Sequence, residues 1–158
     1  PAVPLTVQKK GMSQAQKDKF LDAFKSDTGK LRVGFCVLGG SFSEGIDLRG
    51  ERLIGAIIVG VGLPTISTEL NIIKEYFDNT RENGYAYAYT YPGMNRILQA
   101  AGRVIRTETD RGVAVLIDDR YSEPKYKPLY PAEWKGMNLV GNPQSLAEIM
   151  RRFWEKHS

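Results

Sequence analysis

The chain has 158 residues, of which 42% are hydrophobic and 25% are charged, proportions that predict one folded globular domain with a sizeable core. Its net charge of +4 suits a phosphate-bearing partner without requiring one. A single cysteine and a single histidine exclude an internal disulfide, a cysteine-rich zinc site and a four-cysteine iron–sulfur cluster, and such scarce cysteine is typical of a reducing, intracellular compartment.

The first part of the chain is predicted to hold a short strand and a helix. Residues 3–7 read as a strand already under way, so we expect the chain to be a fragment of a longer protein. Ser13 and Gln16 have the spacing of a capping box, which predicts a helix that continues to about Lys25. Helical periodicity places three apolar side chains on its buried side: Phe20, Leu21 and Phe24.

A glycine-rich loop follows the second predicted strand. Residues 31–38 form a mostly apolar run that predicts a buried strand with Cys36 in the core, and residues 39–50, GGSFSEGIDLRG, are too polar and glycine-rich for helix or strand. Residues 34–41 match the phosphate-loop pattern, except that Gly40 replaces the lysine that clamps the β- and γ-phosphates. We therefore predict that this chain has no self-sufficient nucleotide site.

The middle of the chain is predicted to contain a strand and a helix. The longest apolar run, residues 53–64, is shorter than the roughly 18 residues that span a bilayer, and residues 56–61 within it predict a buried strand. Residues 67–83 have the apolar spacing of a helix, with Gly84 as its C-cap. Four alternating tyrosines fit either a strand edge or a helical turn, and either core packing or base stacking: Tyr85, Tyr87, Tyr89 and Tyr91.

The segment QAAGRVIRTETDRG, residues 99–112, is predicted to be helical and carries an unusual line of cationic side chains. A projection at about 100° per residue puts four polar side chains on one stripe: Arg96, Gln99, Arg103 and Arg106. The same projection puts four apolar side chains on the opposite, buried side: Ile97, Ala101, Val104 and Ile105. The stripe is either a solvated face or a surface for an anionic ligand.

The last part of the chain is predicted to end in a helix. Residues 113–117 predict a buried strand, and Ser145 with Glu148 predicts a capping box that opens an amphipathic helix over residues 145–158. Its apolar face covers the sheet or contacts a partner: Leu146, Ile149, Met150, Phe153 and Trp154. Since no linker interrupts the pattern, we predict one α/β domain over residues 1–158, with a mostly parallel sheet that binds ligands at the carboxyl ends of its strands.

Two segments resemble known motifs. SFSEGIDLRGERLIGAIIVGVGLP resembles motif V with its following strand, and QAAGRVIRTETDRGVAVLIDDR resembles motif VI, of the XPD/DinG-type superfamily 2 DNA helicases. The resemblance covers about Gln8 to Arg120. It implies the second RecA-like motor domain, with a three-layer α/β/α fold, of an ATP-dependent helicase that moves on single-stranded DNA. The strand and helix that carry motif IV would be missing before Val3, so the domain would be truncated at its N-terminus.

The resemblance also implies which residues act and which partners they need. ATP with Mg²⁺ would be bound mainly by the first motor domain of the same polypeptide, so this chain alone would be inactive and would hold no metal. Arg103 and Arg106 would contact the γ-phosphate, with Gln99 bridging toward the nucleotide and Gly102 allowing close approach. In motif V, Gly45 and Asp47 would face the nucleotide, whereas three residues would lie nearer the DNA backbone: Ser41, Ser43 and Glu44. Three further residues would give structural support: Asp110, Asp118 and Arg120.

Other interpretations of the sequence remain open. Glu44 and Asp47 also fit a turn or cap role, because acidic side chains in glycine loops often bond to their own backbone. Two other functions are a complete small nucleotide-binding enzyme, which predicts tight ATP or NAD binding by this chain, and a non-catalytic nucleic-acid or protein interaction domain. The interaction domain predicts salt-sensitive DNA binding without an effect of Arg103 on ATP hydrolysis.

Overall fold

A computed structural model describes residues 2–25, 31–40, 42 and 53–157 of the chain. The chain divides into two compact units, Pro1–Asp118 and Asp119–Ser158. Within the described ranges, no helix is long and apolar enough to cross a bilayer. A single domain over residues 1–158 stays a prediction.

The first unit alternates strands and helices. In chain order its elements are β1 (Leu5–Val7), α1 (Gln14–Lys25), β2 (Val33–Phe35), β3 (Gly55–Val59), α2 (Thr68–Asn79), a π-helical turn (Ala86–Thr90), α3 (Tyr91–Ala101) and β4 (Val113–Ile117). Strand β1 pairs with β2 and strand β3 pairs with β4, both in parallel, with Leu5 opposite Val33 and Val59 opposite Ile117. The predicted α/β fold with parallel strands is confirmed, but the described residues form two two-stranded sheets instead of one.

The start of α1 follows the predicted capping box. The backbone N–H of Ser13 donates to Gln16 Oε1 at 2.8 Å, and the N–H of Gln16 lies 3.4 Å from Ser13 Oγ. These reciprocal bonds satisfy N–H groups that have no partner within the helix. On the buried side, the ring of Phe20 lies 4.4 Å from that of Phe42 and 5.6 Å from that of Phe24.

Helix α3 packs closely on the chain that follows β3. Ile97 of α3 is fully buried, with 0% of its surface exposed, and Val61 just after β3 is 2% exposed. The approach depends on two facing glycines, because a Cβ on Gly93 would lie 2.7 Å from the carbonyl oxygen of Val61, and one on Gly62 would lie 2.7 Å from that of Gly93. Arg96 Nη1 donates to the carbonyl oxygen of Gly62 at 3.3 Å, which joins the helix to this loop.

Several strand side chains predicted to be buried are exposed. Ile57 and Val59 of β3 are 69% and 72% exposed, and Ile117, which the parallel register places on the same face, is 50% exposed. Alternate residues of a strand point to opposite faces, so Ile58 between them is buried while its neighbours are not. The prediction that Cys36 lies in the core is wrong, because its side chain is exposed just beyond β2.

Helix α2 begins as predicted but ends earlier. Ser67 caps it, since Ser67 Oγ accepts the backbone N–H of Leu70 at 3.3 Å. The helix ends at Asn79, and the chain turns through Arg81, whose φ is 65°. The predicted cap at Gly84 is wrong, because the N–H of Gly84 donates to Asp78 Oδ1 at 2.9 Å as a new helical turn begins.

The tyrosine series is helical, which decides between the two predicted alternatives. Residues Ala86–Thr90 form a π-helical turn that continues directly into α3, with Pro92 in its first turn. Tyr89 is buried and its hydroxyl donates to Asn71 Oδ1 at 2.9 Å. The ring of Tyr87 stacks on Phe77 of α2 with centroids 3.9 Å apart. The π-helical turn therefore packs against α2.

The second unit contains short 3₁₀ turns and one long helix. The turns are Asp119–Ser122, Lys127–Leu129 and Ala132–Gly136, and the helix is α4, Pro143–His157. The predicted apolar face of α4 is half-buried: Leu146, Ile149, Met150, Phe153 and Trp154. The predicted capping box is wrong, because Asn142 Oδ1 accepts the backbone N–H of Ser145 at 2.8 Å. Glu148 instead pairs with Arg151 and Arg152 at 2.9 and 2.8 Å.

The cap of α4 gives a direct test of this difference. We expect Asn142→Ala to lower the free energy of unfolding by about 1 kcal/mol, because the N–H of Ser145 loses its acceptor. Ser145→Ala is the matched control and should change that free energy by less than about 0.5 kcal/mol. Urea unfolding followed by circular dichroism measures both values. A larger loss from the serine variant than from the asparagine variant contradicts the assignment of the cap.

Candidate functional site

The two arginines of the predicted motif VI, Arg103 and Arg106, lie in the turn that follows α3. The backbone N–H of Gly102 donates to the carbonyl oxygen of Leu98 at 2.8 Å, and those of Arg103 and Val104 bond three residues back, which tightens the last turn. The prediction of a helix through residues 99–112 is therefore wrong beyond Ala101.

Beyond this tightened turn, an aspartate provides acceptors for two backbone N–H groups of the chain. In a continued helix, the N–H groups of Arg106 and Thr107 would bond to the carbonyl oxygens of Gly102 and Arg103. Instead they donate to Asp110 Oδ2, at 2.9 Å and 3.0 Å. Such competition between side chain and helix is typical of aspartate. The buried side also changes, since Val104 is 4% exposed but Ile105 is 54% exposed.

Four of the predicted site residues nevertheless meet at one place. An open hollow of about 630 Å³ is lined by Gln99, Gly102, Arg103 and Arg106. Both arginines are half-buried, whereas Gln99 and Gly102 are exposed. Arg96, predicted to share their stripe, instead directs its guanidinium to the loop after β3.

The backbone and side chain of Arg106 are both held by neighbours. Arg106 Nε donates to the carbonyl oxygen of Arg103 at 3.2 Å, which links the two arginines. The N–H of Asp110 donates back to the carbonyl oxygen of Thr107 at 3.2 Å, which closes the loop. The hydrogen bond from the Arg106 N–H, together with those from Thr107, holds the pKa of Asp110 below its ordinary value, so the carboxylate is charged at neutral pH.

The predicted residues of motif V lie outside the described residues: Ser41, Ser43, Glu44, Gly45 and Asp47. Their proximity to the arginines stays a prediction. The described loop before them is fastened by Gln8, whose Oε1 accepts the N–H of Val37 at 2.8 Å. It also lies against Arg96, since a Cβ on Gly39 would be 3.1 Å from Arg96 Nε.

Sequence reasoning missed the contacts made by Gln8 and Arg96. Each of these two side chains contacts a segment that is distant in the chain, and no local sequence pattern predicts such a contact. Asp110 was found through the resemblance, as a supporting residue, but its bonds to the backbone were not. The sequence feature that could have predicted these backbone bonds of Asp110 is the polar run TETD, residues 107–110. Threonine and aspartate favour local bonds from side chain to backbone. Asp118 and Arg120 lie just after β4 and in the first 3₁₀ turn, and their supporting roles stay predictions.

The chemistry of the hollow suits an anion. Each guanidinium carries a positive charge and five N–H donors in a planar fork, the arrangement that binds phosphate and carboxylate oxygens. The side-chain amide of Gln99 adds a donor and an acceptor, and Gly102 adds no side chain that would keep a ligand at a distance. Among the described residues, the lining consists of two arginines, a glutamine and a glycine, a set that can bind a negative ligand.

Comparison with known proteins adds independent information. The family model for the helicase C-terminal domain matches residues 2–137. The chain is 35% identical over 107 residues to the ATP-dependent DNA helicase chl-1 of Caenorhabditis elegans, which covers 67% of this chain and 13% of that protein. It is 34% identical over 99 residues to the general transcription and DNA repair factor IIH helicase subunit XPD of Arabidopsis thaliana, covering 61% of this chain and 13% of that protein.

A bacterial relative is similar over a somewhat shorter segment. The chain is 36% identical over 89 residues to the ATP-dependent DNA helicase DinG of Photobacterium profundum, covering 55% of this chain and 13% of the relative. The chain thus spans about 13% of the length of each of these three relatives.

Proposed function

Since the chain belongs to the helicase C-terminal domain family of the XPD/DinG-type helicases, we propose that it is the second motor domain of an ATP-dependent DNA helicase. The main support for the proposal is that four predicted site residues line one open hollow: Gln99, Gly102, Arg103 and Arg106. The names of the relatives, which are ATP-dependent DNA helicases, support ATP as the nucleotide and DNA as the polymer.

The proposed role of the two arginines is to stabilise charge during ATP hydrolysis. When bound, ATP with Mg²⁺ supplies the phosphoanhydride that breaks, and the first motor domain would hold most of it. Arg103 and Arg106 would donate hydrogen bonds to the γ-phosphate, where negative charge spreads over the oxygens in the transition state. The bond from Arg106 Nε to the Arg103 carbonyl oxygen supports a joint action, because it holds one guanidinium beside the backbone of the other residue.

The neighbouring residues would complete the site. Gln99 would bridge toward the nucleotide, and Gly102 would allow the phosphate to approach the backbone. We also propose that Gly45 and Asp47 face the nucleotide, while three motif V residues lie nearer the backbone of single-stranded DNA: Ser41, Ser43 and Glu44. This division would let one loop connect hydrolysis with movement along DNA inside the cell.

Arg103 provides the test of this proposal. In a polypeptide that joins this chain to its first motor domain, Arg103→Ala should lower the DNA-stimulated rate of ATP hydrolysis by roughly tenfold or more, because a positive charge is lost from the transition state. The affinity for ATP should change by less than about threefold. Steady-state turnover and nucleotide binding measure the two quantities separately.

Two other functions make different predictions for the same measurements. A non-catalytic interaction domain predicts unchanged hydrolysis in the Arg103 variant, with DNA binding that weakens steeply as salt increases. A complete small nucleotide-binding enzyme predicts tight ATP binding by this chain alone. We expect the isolated chain to bind ATP weakly and to be inactive, so either result would contradict the proposed role as a motor domain.

A further inference from the structure

Asp110 is bonded directly to the backbone of Arg106. Its Oδ2 accepts the backbone N–H of Arg106 at 2.9 Å and that of Thr107 at 3.0 Å. Its own N–H donates to the carbonyl oxygen of Thr107 at 3.2 Å. The loop from Arg106 to Asp110 is therefore closed on itself before any ligand is bound.

The closed loop also fixes the direction in which Arg106 leaves the backbone. Two hydrogen bonds from consecutive N–H groups to one carboxylate oxygen hold the peptide groups on both sides of the Arg106 Cα, and so restrict φ and ψ of Arg106. The side chain then turns back, and Arg106 Nε donates to the carbonyl oxygen of Arg103 at 3.2 Å. Asp110 thus holds the backbone from which the Arg106 side chain reaches the carbonyl oxygen of Arg103.

We propose that Asp110 is a positioning residue for ATP hydrolysis, which holds Arg106 in the geometry required by the transition state without touching the nucleotide. This inference rests on the proposed function. The carboxylate of Asp110 accepts the backbone N–H groups of Arg106 and Thr107, so it acts on Arg106 through the backbone. A displacement of about 1 Å in a group that stabilises a transition state can cost on the order of 10²-fold in rate.

The enzymatic test uses a helicase that carries both motor domains. Asp110→Ala should lower kcat for ATP hydrolysis by about 10²-fold, with KM for ATP changed by less than about threefold, because binding does not depend on the transition-state geometry. Asp110→Asn keeps an oxygen that can accept both N–H groups, and it should recover kcat to within about tenfold of the wild type. Glu108→Ala removes an exposed carboxylate from the same loop and should leave kcat within about twofold.

A double variant separates positioning from a general structural role. If Asp110 acts through Arg106, Asp110→Ala should lower kcat by less than about threefold when Arg106→Ala is already present. An equal loss in both backgrounds would show that Asp110 acts by another route, and it overturns the inference. Unchanged kcat in Asp110→Ala, while Arg106→Ala is inactive, also overturns it.

Amide hydrogen exchange tests the contact itself without using activity. In the chain carrying Asp110→Ala, the N–H groups of Arg106 and Thr107 should exchange at least about tenfold faster than in the wild type, while those of α3 keep their rates. Unchanged exchange at Arg106 and Thr107 overturns the inference whatever the activities are. Faster exchange, combined with full activity of Arg106→Ala, shows that the contact exists but that the proposed function fails, and the positioning role fails with it.

Discussion

Replacing Arg106 by alanine in a helicase that carries both motor domains is expected to lower ATP turnover on the order of 10³-fold or more, the size of effect seen when an arginine that contacts the transferred phosphate is lost. Nucleotide binding should largely persist, because the first motor domain would hold most of the ATP. The guanidinium stabilises the transition state more than bound ATP, because negative charge develops on the γ-phosphate oxygens during the reaction. Its removal therefore lowers kcat much more than the affinity for ATP.

The appropriate control for this variant is another arginine outside the hollow. Arg152 of α4 is exposed and pairs with Glu148 at 2.8 Å, and surface pairs of this kind contribute little to stability. Arg152→Ala should therefore keep turnover within about twofold of the wild type. Single-turnover hydrolysis, with the enzyme in excess over ATP and at a saturating concentration, isolates the chemical step from product release. Full turnover by the Arg106 variant would show that Arg106 does not contact the transferred phosphate.

The large effect expected at Arg106 has a structural basis. The backbone N–H of Arg106 donates to Asp110, and its Nε donates to the Arg103 carbonyl oxygen. A guanidinium fixed in advance does not lose much conformational freedom when it meets a ligand, so more of its interaction is available in the transition state. Arg103 contributes its backbone carbonyl to this arrangement as well as its charge, and an alanine at position 103 would keep that carbonyl.

Local rules predicted the parts of the fold that depend on nearby residues. The capping box of Ser13 and Gln16 was correct in both of its bonds, because a cap needs only the residues within one helical turn. Strand β4 was predicted at its observed bounds, Val113–Ile117, since a short aliphatic run rich in β-branched residues between turns has few alternatives. The family was also accessible from sequence, because motifs V and VI keep their order and residue types.

The remaining differences arise where two local signals compete or where residues farther apart decide the outcome. Ser145 and Glu148 have the spacing of a capping box, but Asn142 reaches the same N–H from just before Pro143. Apolar runs predicted buried strands, but burial depends on what covers each face, and Ile57 is exposed where Ile58 is not. Neither outcome can be read from the periodicity of the segment alone.

At the candidate site, the sequence identified the residues that line the hollow, but it predicted the local backbone structure wrongly. The four lining residues were named from sequence, although for a continuous helix that the structure does not contain. They still meet, because the turn after Ala101 brings Arg103 and Arg106 beside Gln99 and Gly102. A projection along one helix axis cannot represent this turn. The projection therefore wrongly placed Arg96 with the residues that line the hollow, and Ile105 in the core.

The difference between the predicted continuous helix and the observed turn can be tested by measuring the stability of two isoleucine variants. The helical projection puts Ile97 and Ile105 on the same buried side, whereas in the structure they are 0% and 54% exposed. Ile97→Ala should lower the free energy of unfolding by about 2–5 kcal/mol, because it removes buried apolar surface and leaves a cavity beneath α3. Ile105→Ala is the matched control, and it should cost less than about 1 kcal/mol.

Urea unfolding of the two variants gives both free energies, provided that the dependence of the free energy of unfolding on urea concentration is the same for each. The comparison also tests the site, since the bonds of Asp110 to Arg106 and Thr107 exist only if the helix has ended before Ile105. Equal losses for the two variants would mean that the helix continues and buries both side chains. In a continued helix, the N–H of Arg106 would return to the carbonyl oxygen of Gly102 and would no longer be available to Asp110. A large loss at Ile97 with a small one at Ile105 instead supports the turn from which both arginines reach the hollow.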